Sequence, residues 1–79
     1  MRSDQRLDLS GEVIPFSLAL CKFILVQMAA GAVLEIRLQD RDTLQDLLMI
    51  VERAGDTVLA WEKHDEYYQM WVQKSQKPR

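Results

Sequence analysis

The chain has 79 residues, and ten lysines and arginines against twelve aspartates and glutamates give it a formal charge of -2. This length excludes a second catalytic lobe and predicts one domain over residues 1–79, with an ordered core at about 6–74 and a flexible tail at 75–79. Because positive charge is not clustered, nucleic acid is not an expected partner.

Cysteine usage and the apolar stretch at 16–34 define the expected compartment. The single cysteine, Cys21, excludes an internal disulfide and a multi-cysteine metal cage. Lys22 and Gln27 interrupt the apolar stretch, and the acidic residues before it differ from the basic start of a secretory signal. We therefore expect a cytoplasmic protein with no membrane partner, no metal and no cofactor.

In the first half of the chain, the pattern predicts a strand, a helix and a second strand. Residues 7–9 alternate as in a short strand. Pro15 favours a helix start, and the helix is predicted to run to about Ala30, with Gly31 as the left-handed residue after it. Residues 33–39 alternate again, which is typical of a half-buried strand.

The second half predicts a helix followed by a hairpin. Thr43 and Asp46 have the spacing of a capping box, and Gly55 ends the helical pattern. Strands are predicted at 57–63 and 67–73, joined by a loop at 64–66. The order strand, helix, strand, helix, strand, strand predicts an α/β (α+β) two-layer sandwich, in which two helices cover one face of a four-stranded mixed sheet.

This order, together with several spaced residues, resembles the TusA/SirA-like family of small sulfur-carrier proteins over about residues 7–74. The family signature is a leucine-aspartate strand, a glycine, Cys-Pro-x-Pro at the start of the first helix, and a lysine further along. The matching positions here are Leu7, Asp8, Gly11, Pro15 and Lys22, followed downstream by Gly31, Leu34, Glu35, Ile36, Asp40, Asp46, Leu47 and Gly55.

The sequence departs from the family pattern at the motif positions that carry the family's chemistry. Ile14 stands at the cysteine position, Ser17 at the second proline, and Arg41 at the proline after the first downstream aspartate. The resemblance implies sulfur carriage on a thiolate that is activated at a helix N-terminus. Isoleucine offers no thiol, so the sequence predicts no catalytic residue at this position.

Cys21 is the alternative sulfur acceptor. It lies seven residues after Ile14, about 10 Å along a helix, where the terminal amides no longer stabilise a thiolate. It shares a helical face with Leu18, Leu25 and Met28, which indicates a packed core cysteine. Lys22 is then expected to be a solvated lysine without a thiolate to support.

Other enzyme signals are weak. His64 is the single histidine and lies in the predicted hairpin loop. Asp40, Asp42 and Asp46 alternate like calcium ligands, but the required glycine and distal glutamate are missing, so helix capping explains them better.

Two apolar surfaces are candidate interfaces with another protein or with a second copy of the chain. The first helix is apolar beyond one stripe, at Phe16, Leu20 and Phe23. If Lys63 pairs with Tyr67, the uncovered sheet face presents the large side chains of Leu59, Trp61 and Trp71. A register shifted by one residue would instead place the tryptophans in the core.

Three hypotheses follow. The leading one is a TusA-like domain that lacks the sulfur-accepting cysteine and acts as a protein-binding or regulatory module, docking onto components of a sulfur-transfer pathway. The second is a sulfur carrier or sulfurtransferase that uses Cys21. The third is a structural subunit without a link to sulfur.

Overall fold

The computed structural model describes residues 2–11 and 14–76, without the side chains of Ile14 and Pro15. The predicted order of elements is confirmed. The strands form one mixed sheet in the order β1-β2-β4-β3, in which β1 is parallel to β2 and the other neighbours are antiparallel. The elements are β1 (Gln5–Asp8), α1 (Ile14–Gln27), β2 (Val33–Leu38), α2 (Arg41–Arg53), β3 (Thr57–Lys63) and β4 (Tyr68–Gln73).

The core lies between one face of the sheet and both helices. Alternate residues of β2 and β4 point into it, as the period of two in a strand requires. Each helix contributes one buried stripe to the same cluster, so both helices pack on one face. The cluster contains Leu9, Cys21, Leu25, Leu34, Ile36, Leu38, Leu44, Leu47, Val51, Met70 and Val72.

The first half of the chain differs from the prediction at two element ends. β1 begins and ends earlier than the predicted 7–9, although the Leu9 amide still donates to the Arg37 carbonyl (2.8 Å). α1 ends at Gln27 rather than near Ala30. Gly31 has the expected positive φ of 81°, but it is the third residue of a turn closed by the Ala32 amide and the Ala29 carbonyl at 3.1 Å. The glycine therefore serves a turn, not the helix end.

The second helix begins earlier than the predicted capping box. Asp40 is the N-cap, and its Oδ2 accepts from the Thr43 amide at 3.1 Å and from the Thr43 hydroxyl at 2.9 Å. Thr43 is thus the third helical residue instead of the cap. Asp46 lies in the helix interior, beyond the first turn, so it does not cap the helix.

The last hairpin contains a β-bulge that neither predicted register includes. Lys63 pairs with Tyr68, one residue beyond the expected Tyr67, and the pairing shifts by one between Val58 and Ala60. Val58 therefore faces the helices opposite Val72, as predicted, whereas Trp61 moves to the helix side opposite Met70.

The structure tests two further predictions, the flexible tail at 75–79 and the absence of a membrane-spanning segment. Ser75, the first residue of the predicted flexible tail, donates its amide to Asp56 Oδ1 (2.8 Å), and residues 77–79 lie outside the described part of the chain. Within the described ranges 2–11 and 14–76, no helix is long and apolar enough to cross a membrane.

Candidate functional site

The beginning of α1 is the position at which the family signature places its chemistry. Asp8 ends β1, and its Oδ1 accepts from the Ser10 amide at 2.9 Å. This backbone hydrogen bond, aided by the Ser10 side chain, lowers the pKa of Asp8. Gly11 follows with φ at +86°, which favours glycine because it has no Cβ. The signature residues Asp8 and Gly11 therefore belong to the turn that follows β1.

A small cavity of about 180 Å³ lies beside this turn. It is smaller than the roughly 300 Å³ at which small-molecule sites usually begin. Its polar groups are already engaged, since Asp40 caps α2 through Thr43 and Ser17 is 1% exposed with a partner of its own. The cavity is lined by Leu9, Gly11, Ser17, Leu38, Gln39, Asp40 and Thr43.

Ile14 and Pro15 are the first two residues of α1, and their side chains lie outside the described part of the structure. The backbone position matches the site where the signature places its cysteine, at a helix N-terminus. Isoleucine contributes only hydrocarbon there. The first residue of α1 thus occupies the signature's cysteine position, at a helix N-terminus, but carries no nucleophile.

Cys21, the alternative acceptor, is fully buried at 0% exposure. Burial away from water raises the pKa of its thiol to about 12, and the negative charge of Asp56 acts in the same direction. A thiol with this pKa is protonated at neutral pH, and the thiolate is the reactive form. The environment of Cys21 therefore opposes sulfur chemistry in two ways, by access and by ionisation.

The remaining signature residues are not gathered around the start of α1. Lys22 lies in the second half of α1, where it lines a separate groove together with Arg53, Asp56 and Lys74. Asp46 is half-buried on α2 and lines neither the small cavity beside the Gly11 turn nor the groove beside Lys22.

The side of α1 that faces away from the core is apolar. Ser17, Cys21 and Leu25 form the buried stripe. On the opposite side, Phe16 is 65%, Phe23 63%, Val26 64% and Leu20 38% exposed. We call the set of Phe16, Leu20, Phe23 and Val26 the outer helix face. Large apolar side chains this exposed are unusual on one helix and are typical of an interaction surface.

The sheet residues expected on a second apolar patch are separated by the fold. Leu59 is 40% exposed at the bulge, and Trp61 is 47% exposed but belongs to the helix side of the sheet. Trp71 lies on the opposite face, yet it is only 6% exposed, and its Nε1 donates to Glu35 Oε1 at 3.1 Å. The predicted continuous patch of Leu59, Trp61 and Trp71 is therefore wrong.

His64 is placed in the hairpin turn, as expected. Its ring stacks on Tyr67 with 4.5 Å between centroids, and its Nε2 lies 3.1 Å from Gln69 Oε1 and 3.4 Å from Glu62 Oε2. Arg37 covers the same Tyr67 ring at 3.7 Å. In the part of the chain that the structure describes, no three histidine, cysteine or acidic side chains are grouped to hold a metal.

Sequence reasoning missed the groove beside Lys22. Asp56 and Lys74 are distant in the chain and meet only because β3 begins where β4 ends. No spacing pattern connects them, so the sequence held no local signal for this juxtaposition.

Comparisons with known proteins agree with this fold. A curated relative from Archaeoglobus fulgidus, named "Putative sulfur carrier protein", is 32% identical over 66 residues, which cover 84% of this chain and 75% of the relative. The crystal structure of a SirA-like protein from Desulfitobacterium hafniense superposes with a TM-score of 0.75 at 22% identity, and covers 90% of this chain and 97% of that one. The family model described as sulfurtransferase TusA matches residues 5–74, and the chain therefore belongs to the TusA family.

Proposed function

We propose that this chain is a non-catalytic member of the TusA family that acts in the cytoplasm as a protein-binding module, within a sulfur-transfer pathway. The observation that carries the proposal is the placement of thiol chemistry. The family position holds Ile14, and the single cysteine of the chain is fully buried at Cys21.

Sulfur carriage requires a thiolate that attacks a donor's sulfane sulfur and forms a persulfide, while the rest of the donor leaves with the electron pair. Both the attacking sulfur and its approach path must be accessible. Cys21 has 0% exposure, and its pKa is raised to about 12. These properties favour a structural role for the cysteine.

The outer helix face supports a binding role. Phe16, Leu20 and Phe23 are exposed on consecutive turns of α1, and the core beneath the helix does not need them. Partly exposed aromatic residues of this kind are frequent anchors in protein interfaces. The face begins in the first turn of α1, next to the family's reactive position. A protein that docks on the catalytic relatives at that end would meet this face.

The first experiment asks whether the chain accepts sulfur. The native protein is incubated with inorganic polysulfide and weighed intact, beside an Ile14→Cys/Cys21→Ala variant that restores a thiol at the helix N-terminus. We expect no sulfur on the native chain and one added sulfur atom on the variant. A stable sulfur on the folded native chain that Cys21→Ala abolishes would establish Cys21 as the carrier and overturn the non-catalytic proposal.

The second experiment asks whether the outer helix face binds protein. Binding to a cysteine desulfurase and self-association are measured by sedimentation velocity for the native chain and for Phe16→Ser/Phe23→Ser. Met49→Ser is the matched control, because Met49 is 50% exposed on α2. We expect a complex that the double variant weakens at least tenfold and the control leaves unchanged. A complex that resists the double variant would exclude this face.

A further inference from the structure

A groove of about 350 Å³ opens where the second half of α1 meets the end of α2. This volume lies within the range of small-molecule sites. The groove has both apolar and charged walls. It includes the signature residue Lys22 and Val26 of the outer helix face, but it lies in the second half of α1, away from the helix beginning. Its lining consists of Lys22, Leu25, Val26, Ile50, Arg53, Ala54, Asp56 and Lys74.

The apolar part of the groove is supplied by the two helices. Leu25 is 3% exposed and forms part of the core cluster, and Ile50 is half-buried beside it. Val26 is 64% exposed. Covering this hydrocarbon with an aliphatic chain would remove it from water, which stabilises a complex in proportion to the area buried.

The charged part of the groove is cationic, although the protein as a whole is acidic. Lys22, Arg53 and Lys74 contribute three positive charges, and Asp56 contributes one negative charge, so the local formal charge is +2, whereas the chain carries -2. Asp56 is 6% exposed, and its Oδ1 already accepts from the Ser75 amide at 2.8 Å.

Among the residues that the structure describes, Lys22, Arg53 and Lys74 form no ion pair. Arg53 lies in the last turn of α2, where a cation is favourable at the negative end of the helix dipole. Lys74 has no such role, and it is 9% exposed at the end of β4. Positive charges that line one groove repel one another, and a bound anion offsets this repulsion.

We propose that this groove binds a small organic anion with an aliphatic body. The anionic head, a carboxylate or a phosphate, contacts Lys74, Lys22 and Arg53, while the aliphatic body lies along Val26 and Ile50. A bare inorganic anion would leave the apolar wall in water, and a neutral aliphatic molecule would leave the cations uncompensated. An anion that also has a hydrocarbon chain compensates the positive charges and covers the apolar lining.

The ligand test uses amide NMR shifts of the full chain titrated with octanoate, at concentrations below its self-association. Octanamide is the neutral control of equal length, acetate lacks the aliphatic body, and octyl phosphate carries the alternative head. We expect saturable shifts confined to Leu25, Val26, Ile50 and Lys74 with octanoate or octyl phosphate. We expect binding about tenfold weaker with octanamide. The tighter of the two anions identifies the head.

The variant test separates the groove from general electrostatics. Lys74→Gln removes the cation of the least exposed residue, Lys22→Gln and Arg53→Gln remove those of exposed residues, and Lys63→Gln is the matched control. Lys63 lies at the opposite end of β3, roughly 20 Å away along the strand. We expect about tenfold weaker binding for Lys74→Gln, several-fold for each exposed variant, and no change for the control.

Several results would overturn the site. These are equal affinity for octanoate and octanamide, an equal loss with Lys63→Gln, or no saturable shift up to about 10 mM ligand, which corresponds to affinity too weak to be specific. If Lys74→Gln fails to fold, the Lys22→Gln and Arg53→Gln variants decide alone, because both side chains are exposed. The groove does not depend on the proposed docking role, since the titration requires no protein partner.

Discussion

The two helices of this domain follow different rules. α2 has a buried stripe of Thr43, Leu44, Leu47 and Val51, an aspartate cap, an acid in its first turn and an arginine in its last. α1 has neither an acid in its first turn nor a base in its last, and it is apolar on both its buried and its exposed sides. α2 therefore has the pattern that folding alone requires. α1 carries apolar surface in excess of that requirement, which points to binding.

The largest expected loss of stability comes from truncating a buried residue of α2. Leu47 is 0% exposed in the core, so Leu47→Ala should lower the free energy of unfolding by about 2–5 kcal/mol through lost burial and a residual cavity. Urea unfolding measures it. Met49→Ala, at the 50% exposed position on the same helix, is the control and should change little.

The next effect concerns the buried side of α1 and depends on pH. The Cys21 pKa rises from 9.0 in the unfolded chain to about 12 in the folded one, so the stabilising contribution is complete below pH 9 and is lost as pH rises toward 12. At about pH 10 the native chain should have lost about 1 kcal/mol more than Cys21→Ala. Urea unfolding of both proteins between pH 8 and pH 10 measures this difference. Parallel curves would mean that the thiol is not held protonated.

The helix ends give a comparable prediction. Asp40→Ala removes the acceptor for both the amide and the hydroxyl of Thr43, and should cost about 1 kcal/mol. Thermal unfolding checks this value, with Asp65→Ala in the exposed hairpin turn as a control of equal charge. If both variants lose the same stability, net charge rather than capping is responsible.

The smallest expected loss of stability is for variants of the outer helix face, and it tests directly whether this face serves binding or folding. Phe16→Ser/Phe23→Ser should change the free energy of unfolding by less than about 1 kcal/mol, because both rings are more than 60% exposed. A loss as large as that of Leu47→Ala would show that the outer helix face belongs to the fold. In that case α1, like α2, would carry no apolar surface beyond what folding requires.

Much of the architecture follows from the sequence because strands and helices have different periods. The alternation in β2 and the helical spacing of α2 locate both elements, and Pro15 and Gly55 limit the helices. The sequence predicts the cap of α2 at Thr43 and not at Asp40 because both residue types suit an N-cap, and only the observed hydrogen bonds distinguish them.

The hairpin and the groove were beyond sequence reasoning for a different reason. A bulge at Leu59 changes which face each following residue of β3 occupies, and no residue type at that position requires a bulge. The groove joins Asp56 and Lys74 through strand pairing, which is a long-range feature. By contrast, the burial of Cys21 was predictable because its helical neighbours are apolar.

The bulge at Leu59 has a consequence for solubility. β3 is an edge strand of the sheet, and an unbroken edge invites another chain to add its own strand and begin a fibril. The irregular pairing at Leu59, together with the charged Glu62 and Lys63, makes this edge a poor template, and the opposite edge, β1, has only 4 residues. The sheet edges therefore do not favour fibril growth, although the outer helix face of α1 exposes apolar side chains to water.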